Sequence, residues 1–150
     1  MTAYFVDTSS VAKRYVPEVG SAWVLTWILP QAGHVTVISE LATVEIFSSL
    51  ARRQREKTLQ PANATALQNI FMLHTEKEYL VVPVDANILA QARQLVTKHP
   101  LRTLDAIQLS CAVHAVNLLG SPMIFISGDK NLLAAAVAEG FQTDDPNMHP

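Results

Sequence analysis

The chain has 150 residues, of which 49% are hydrophobic and 16% charged, with a mean hydropathy of +0.20 and a formal net charge of −2. This length fits one domain with a substantial core, and no apolar run is long enough to span a membrane. The apolar content is high for a soluble monomer, so we expect a partner or a second copy to cover part of the surface.

Cysteine content and the first residues bear on the cellular compartment. Cys111 is the only cysteine, which excludes an intrachain disulfide and suits a reducing cytoplasm. We interpret Cys111 as a small buried residue rather than a nucleophile. No basic leader precedes the first apolar stretch, so we expect no signal peptide and a cytoplasmic location.

The first part of the chain alternates between strand and helix patterns. "AYFV" predicts a strand, "SSVAKRYV" a short helix that ends at Pro17, and "GSAWVLTWIL" a further helix. "HVTVI" predicts a second strand, and "SELATVEIFSSLARRQREK" a long helix. In that helix the following apolar residues recur at helical spacing: Leu41, Val44, Phe47 and Leu50.

The same alternation continues to the end of the chain. Pro61 opens a helix that runs to about Glu78, "YLVVPV" is a third strand, and Asp85 caps the helix "ANILAQARQLV". "TLDAIQLSCAVHAVNLL" is a helix, "PMIFIS" a fourth strand, "KNLLAAAVAE" a helix and "FQT" a short edge strand. We predict a single domain over residues 1–143 and a frayed tail over residues 144–150.

Strands that alternate with helices pair in parallel through right-handed crossovers. The predicted fold class is therefore α/β, a three-layer α/β/α sandwich around a central, mainly parallel sheet of four or five strands. In such a sheet, ligands bind beyond the carboxyl ends of the strands.

Four acidic residues stand out against this organisation. Asp7 and Asp129 follow the first and fourth strands, and Glu45 and Asp105 interrupt apolar helical faces, where a charge is costly unless it is paired or binds a metal. Each has a simpler explanation: two can cap helices, Asp105 can favour a helix dipole, and Glu45 can be solvated or pair with Arg52. Those explanations leave the apolar flanks of the helical acids unexplained.

The segments that carry these acids are "FVDTSS", "ELATVEIFSSLARR", "RTLDAIQLSCAV" and "IFISGDKNLL". In order and spacing they resemble the four signature segments of PIN-domain ribonucleases, especially the VapC-like toxins of type II toxin–antitoxin systems. The resemblance implies a PIN-like fold and an acidic pocket whose carboxylates are both catalytic residues and metal ligands. Those carboxylates are Asp7, Glu45, Asp105 and Asp129.

The resemblance also implies supporting residues around the pocket. Hydroxyls beside the first and last acids are typical of the family and are matched here by Ser9 and Ser127. Many relatives carry a fifth acid where this chain has Asn131, which keeps an oxygen but loses a charge, so a second metal would bind weakly. Gly128 separates Ser127 from Asp129, and neither the residues nor the resemblance gives it a role.

An all-oxygen ligand set without His or Cys favours Mg²⁺ or Mn²⁺ over zinc. Carboxylates this close repel one another, and a divalent ion removes that cost, activates a bound water and aligns it against a phosphodiester. The activity implied by the resemblance is a metal-dependent endoribonuclease that leaves a 3′-hydroxyl and a 5′-phosphate. The histidines show no ligand spacing, and we interpret them as structural.

Without the four acids, basic residues outnumber acidic ones, and several are clustered. We expect Arg14, Arg52 and Arg102 to contact RNA phosphates, although the run that includes Arg52 can equally be a solvated helix end. No aromatic residues are interleaved with them, so a sequence preference cannot be derived.

The resemblance further implies protein partners. It implies a small antitoxin whose C-terminal segment lies in an apolar groove and blocks the acidic pocket, and a homodimer formed through helical surfaces. Trp23 and Trp27 either belong to the core or line one of these surfaces.

Two other functions remain as alternatives. A non-catalytic PIN-like binding module would keep the pocket only for folding. A phosphotransferase of the haloacid-dehalogenase type also places an Asp after its first strand, but it needs a second acid where this chain has Ser9. A phospho-accepting receiver domain would need paired acids at the end of the first strand, and these are missing.

Overall fold

The computed structural model describes residues 1–150. Its strands are β1 (Ala3–Val6), β2 (Val35–Ser39), β3 (Leu80–Val82), β4 (Ile124–Ile126) and β5 (Gln142–Asp144). Its α-helices are α1 (Thr8–Val11), α2 (Ser21–Ile28), α3 (Leu41–Arg55), α4 (Pro61–Lys77), α5 (Ala86–Lys98), α6 (Thr103–Leu119) and α7 (Lys130–Ala138). Short 3₁₀ helices span Ala12–Arg14, Pro30–Ala32 and Pro146–Met148. None of the helices combines the length and apolar character that a membrane span requires.

The strands form one five-stranded sheet in the order β3-β2-β1-β4-β5, and every pair is parallel. β1 is central: Phe5 lies opposite Val37 of β2 and Phe125 of β4. The predicted α/β class with a parallel sheet is confirmed. Because β1 and β4 are neighbours, the residues that follow them meet at one edge of the sheet.

Two hydrophobic cores lie on opposite faces of the sheet. Phe5, Val37 and Phe125 face α5, α6 and α7, whereas the next residue of each strand faces α2, α3 and α4. This alternation follows from the two-residue period of a strand, and burial on both faces explains why the strands are continuously apolar. The result is the predicted three-layer sandwich.

Helix α3 packs on a different face from the one that we expected. Ala42, Ile46 and Leu50, four residues apart, are its buried positions, whereas the side chain of Val44 is 67% exposed. A residue two positions after Ala42 lies on the far side of a helix that has 3.6 residues per turn. Glu45 lies beside the buried stripe, which directs its side chain toward α1 and α6.

The segment that follows the last helix is not frayed, so that prediction is wrong. After β5, Pro146 packs against Gly20, where an added Cβ would lie 2.4 Å from the Pro146 carbonyl oxygen. Gly20 also has a φ of +87°, which side-chain-bearing residues rarely adopt. The His149 ring stacks on Trp23 with centroids 4.0 Å apart. The tail is therefore packed against α2 and the loop that precedes it.

The two tryptophans have different environments. Trp27 is 5% exposed and stacks on Tyr4 at 4.4 Å, which places it in the core, so our suggestion that it lines a partner surface is wrong. Trp23 is half-buried and is covered by His149.

Cys111 is fully buried in α6 and donates to the Ser39 hydroxyl. Burial raises the pKa of its thiol to about 11. Because the thiolate is the reactive form, a thiol with such a pKa is a poor nucleophile at neutral pH. This agrees with the interpretation of Cys111 as a core residue.

Candidate active site

Asp7 lies at the carboxyl end of β1, where it caps α1. Its Oδ1 accepts hydrogen bonds from the Ser10 backbone N–H at 2.9 Å and from Ser9 Oγ at 3.0 Å, and its Oδ2 accepts one from Ser127 Oγ at 2.6 Å. The side chain is buried. Burial raises the pKa of Asp7, although the hydrogen bonds from the serines oppose that rise.

Asp129 follows β4 and caps α7, because its Oδ1 accepts from the Leu132 backbone N–H at 3.0 Å. The backbone N–H of Asp129 donates to Ser127 Oγ at 3.0 Å. Ser127 therefore contacts both acids, as expected where the last residues of β1 and β4 lie opposite each other. The capping role of each acid is confirmed, and for Asp129 it uses Oδ1 and leaves Oδ2 to other partners.

Asp105 lies in the first turn of α6. Arg102 Nε donates to Asp105 Oδ2 at 3.3 Å, and Arg102 Nη2 donates to Asp129 Oδ2 at 3.4 Å. The pKa of Asp105 is raised, first by burial and then by the negative charge of Asp129, whereas Arg102 opposes the rise. Asp105 and Asp129 thus lie close enough to interact electrostatically.

Glu45 reaches the same edge from α3. Thr8 Oγ1 donates to Glu45 Oε1 at 2.6 Å, and Gln108 Nε2 donates to the same oxygen at 3.0 Å. The suggested ion pair between Glu45 and Arg52 is absent from the structure. Since Thr8 directly follows Asp7 in the chain, these contacts place the Glu45 carboxylate at the same edge of the sheet as Asp7.

Sequence patterns alone did not identify Thr8 or Gln108 as residues of this site. Gln108 is 3% exposed and lies one turn after Asp105, and its amide also donates to Thr8 Oγ1 at 3.0 Å. Its carbonyl oxygen is buried without a partner. The available signal was a polar side chain within the apolar run "DAIQLSCAV", the same kind of signal that identified Asp105.

Two open clefts meet at Ser9. The first has a volume of about 320 Å³ and is lined by Thr8, Ser9, Ala12, Glu45, Ser48, Ser49, Arg52 and Leu104. The second, of about 350 Å³, is lined by Ser9, Lys13, Glu18, Gly128, Asp129 and Asn147. A larger cavity of about 420 Å³ and a smaller one of about 310 Å³ lie elsewhere, and none of the four acids lines either of them. The two clefts form a groove along the carboxyl edge of the sheet.

The four acids share this edge but do not form a compact cluster. No group of three or more His, Cys, Asp and Glu side chains is placed to hold a metal ion. Instead, serines surround Asp7, and the Arg102 guanidinium bridges Asp105 and Asp129. The all-oxygen donor set fits the chemistry of a hard divalent cation. Arg102, whose side chain is 83% exposed, occupies the position where a cation balances the two carboxylates.

The structure contradicts the prediction that Arg14 contacts phosphate. Its guanidinium is 8% exposed, pairs with Glu78 at 2.6 Å and donates to the Tyr79 hydroxyl at 2.9 Å. It also lies 5.7 Å from the ring centroids of Tyr15 and Tyr79. Arg14 therefore joins the segment after α1 to the end of α4 and is not available to a ligand.

Other predicted residues lie at or near the groove. Arg52 lines the first cleft, and Arg102 contacts two of the acids. Asn131 is exposed in the first turn of α7.

Comparisons with known proteins place this geometry in context. The family model described as the PIN domain matches residues 4–138. Among curated proteins, none matches this chain in sequence.

Several solved structures have the same fold. The Mycobacterium tuberculosis VapC20 structure, described as a sarcin–ricin loop cleaving toxin, is 19% identical with a TM-score of 0.64, over 98% of this chain and 99% of that chain. Rickettsia felis VapBC2, bound to a promoter DNA fragment, is 12% identical with a TM-score of 0.64, over 96% and 98% of the chains. A Klebsiella pneumoniae toxin–antitoxin complex is 13% identical with a TM-score of 0.63, over 95% and 97%.

Identities this low show similarity of fold only. The family model is a stronger finding, because it spans nearly the whole chain from β1 to the last residue of α7. The four acids lie within the matched residues, at the strand ends and helices described above. This chain therefore belongs to the PIN domain family.

Proposed function

We propose that this protein is a metal-dependent endoribonuclease that hydrolyses RNA phosphodiester bonds and serves as the toxin of a toxin–antitoxin pair. The observation that carries the proposal is the connected set of contacts at one sheet edge. Ser127 joins Asp7 to Asp129, Arg102 joins Asp129 to Asp105, and Thr8 brings Glu45 alongside.

In this proposal Asp7, Asp105 and Asp129, with Glu45, hold Mg²⁺ or Mn²⁺. When bound, the ion supplies a water of lowered pKa and positive charge against the phosphodiester. Asp7 is preorganised as a ligand because Ser9, Ser10 and Ser127 hold both of its oxygens in place. Asn131 is the weaker position for a second ion, since it has no charge.

The chain's own side chains would position the substrate. Thr8 and Gln108 fix one oxygen of Glu45, which leaves the other facing the cleft. Arg102 is exposed and weakly held at 3.3 and 3.4 Å, so it can turn from the carboxylates to a phosphate as the ion enters. Arg52, in the same cleft as Glu45, would bind a further phosphate.

The proposed partners are RNA, a small antitoxin protein and a second copy of this chain, all in the cytoplasm. Two observations support protein partners. Solved structures of this fold include toxin–antitoxin complexes. Helix α4 also leaves Ile70 and Leu73 44% and 52% exposed, which favours an apolar contact surface there.

The proposal is tested by incubating the purified protein with cellular RNA and Mg²⁺, Mn²⁺ or a chelator. We expect cleavage only with metal, and we expect Asp7→Asn and Asp129→Asn to abolish it. Asp85→Asn is the matched control because Asp85 also caps a helix, α5, but lies outside the groove. Equal activity in all three variants would overturn the proposal.

The absence of a ready metal cluster favours one second candidate, a PIN-like module that binds RNA or protein without catalysis. It predicts RNA binding that is independent of metal, with no cleavage under any condition. The same experiment distinguishes the two functions.

A further inference from the structure

The second cleft, beside Asp129, contains no apolar side chain. One of its walls comes from the tail that we expected to be frayed, through Asn147. Another comes from Lys13, whose side chain is only 7% exposed. Lys13 and Asn147 thus line the same cleft as Asp129, and neither has a role in the function proposed so far.

Lys13 fixes the orientation of Asn147. Its Nζ donates to Asn147 Oδ1 at 3.2 Å and to the Val19 carbonyl oxygen at 2.7 Å, and lies 3.5 Å from the Glu18 carboxylate. An ammonium group only donates, so the amide oxygen must face Lys13 and the NH₂ group must face away. Held by two hydrogen bonds and an ion pair, Lys13 is a positioning residue.

The NH₂ group of Asn147 lies over Gly128. A Cβ at Gly128 would lie 2.6 Å from Asn147 Nδ2, so any larger residue there would displace the amide. This contact explains the glycine between Ser127 and Asp129. Within the chain the Nδ2 donors have no acceptor, and they remain available to a ligand.

The charges of the cleft restrict what can bind. Lys13 already pairs with Glu18, which Arg53 also contacts, and Asp129 pairs with Arg102. The cleft lining therefore offers a phosphate no unpaired positive charge. A neutral group that both accepts and donates hydrogen bonds fits better, because it can accept from the Asn147 amide and donate to a carboxylate. The ribose 2′-hydroxyl is such a group, and DNA lacks it.

We propose that this cleft binds the ribose 2′-hydroxyl of the nucleotide beside the scissile phosphate, and that Asn147 is the residue that makes the protein prefer RNA to DNA. The inference rests on the proposed ribonuclease function and adds the basis for its choice of substrate. Asp129 belongs to both the cleft and the proposed metal ligands, which places this ribose next to the reacting phosphate.

The test measures binding of the full chain, made inactive by Asp7→Asn, to fluorescein-labelled single strands in Mg²⁺. One probe is RNA of mixed sequence, and the other is DNA of the same sequence. We expect Asn147→Ala to weaken RNA binding about fivefold, the value of one net hydrogen bond, and to leave DNA binding unchanged. Asn69→Ala, an exposed asparagine on α4, is the control and should change neither affinity.

Asn147→Asp is the second variant, because it keeps the shape and the contact to Lys13 but loses the NH₂ donors. Its added negative charge weakens the binding of both probes, so the quantity to compare is the ratio of RNA affinity to DNA affinity. This ratio should fall as it does for Asn147→Ala. The proposal is overturned if the ratio stays at the parent value in both variants, or if the parent shows no preference. Metal-dependent cleavage that needs Asp7, with an unchanged ratio, would overturn this inference alone.

Discussion

The Ser127 hydroxyl donates a 2.6 Å hydrogen bond to Oδ2 of Asp7. This hydrogen bond connects the residue that follows β4 to the residue that follows β1, and both side chains are buried. The same hydroxyl accepts from the backbone of Asp129, so one serine sets the positions of two proposed metal ligands.

Ser127→Ala should lower the free energy of unfolding by about 1–3 kcal/mol, because a buried carboxylate oxygen loses its partner. It should also raise the pKa of Asp7 further, since the hydrogen bond from Ser127 lowers it. Urea unfolding of the metal-free protein measures the first effect. Ser9→Ala is the matched control: Ser9 is exposed and its bond to Asp7 is longer, at 3.0 Å. A larger loss for Ser9→Ala than for Ser127→Ala would contradict the account.

Stability without metal should depend on the ionisation of Asp7. Burial raises the pKa of Asp7 above its unfolded value, so the folded protein binds the proton more tightly. The stability that this proton provides is fully present below the unfolded pKa of about 3.9 and is lost as the pH rises through the folded pKa. Asp7→Asn avoids that loss. Thermal melting in the presence of a chelator should therefore show that the Asp7→Asn variant is more stable than the wild type at neutral pH. The difference in stability between the two proteins should become smaller in acid.

Asp85→Asn provides the comparison for this experiment, because Asp85 caps α5 in an exposed position. Asparagine caps helices about as well as aspartate, so little change is expected at any pH. If Asp7→Asn were less stable than the wild type at neutral pH, burial would not be the dominant effect on this carboxylate.

Gln108→Met should separate stability from activity. Methionine fills a similar volume and removes a buried carbonyl oxygen that has no partner, which offsets the lost hydrogen bonds. We expect a change in unfolding free energy within about 1 kcal/mol. Glu45 loses one of its two donors, however, so cleavage should slow while RNA binding is retained. Equal cleavage by variant and wild type would show that Gln108 does not position Glu45.

Arg14 and Arg52 should behave in opposite ways. Arg14→Leu removes one partner of a buried ion pair and should lower the unfolding free energy by about 3 kcal/mol, with RNA affinity of the folded protein unchanged. Arg52→Leu, at an exposed site in the groove, should weaken RNA binding and leave stability nearly unchanged. Chemical unfolding and RNA binding measured on both variants check this, and the reverse pattern would refute the placement of the two side chains.

Much of the fold could be predicted from local patterns. Strand positions, the caps formed by Asp7, Asp85 and Asp129, and the parallel sheet all follow from periodicity and helix-capping chemistry. Acids in apolar helical faces also pointed to the carboxyl edge of the sheet, where the structure places Glu45 and Asp105. These features are local, or depend only on the order of the elements.

Contacts between distant parts of the chain could not be predicted. The burial of Arg14 depends on Glu78 and Tyr79, which follow α4. The tail is ordered because Pro146 packs against Gly20 and Asn147 accepts a hydrogen bond from Lys13. The sequence of the tail does not indicate either partner. The exposure of Val44 depends on which face of α3 the sheet covers. Such pairings depend on tertiary structure, which a single sequence does not display.

The most direct test of the proposed metal site is anomalous scattering from a crystal of the protein soaked in Mn²⁺. We predict a peak bound by Asp7, Asp105 and Asp129 with Glu45, and the Arg102 guanidinium displaced from its bridge between Asp105 and Asp129. A bridge that stays in place at saturating Mn²⁺, with no peak at this edge of the sheet, would contradict it.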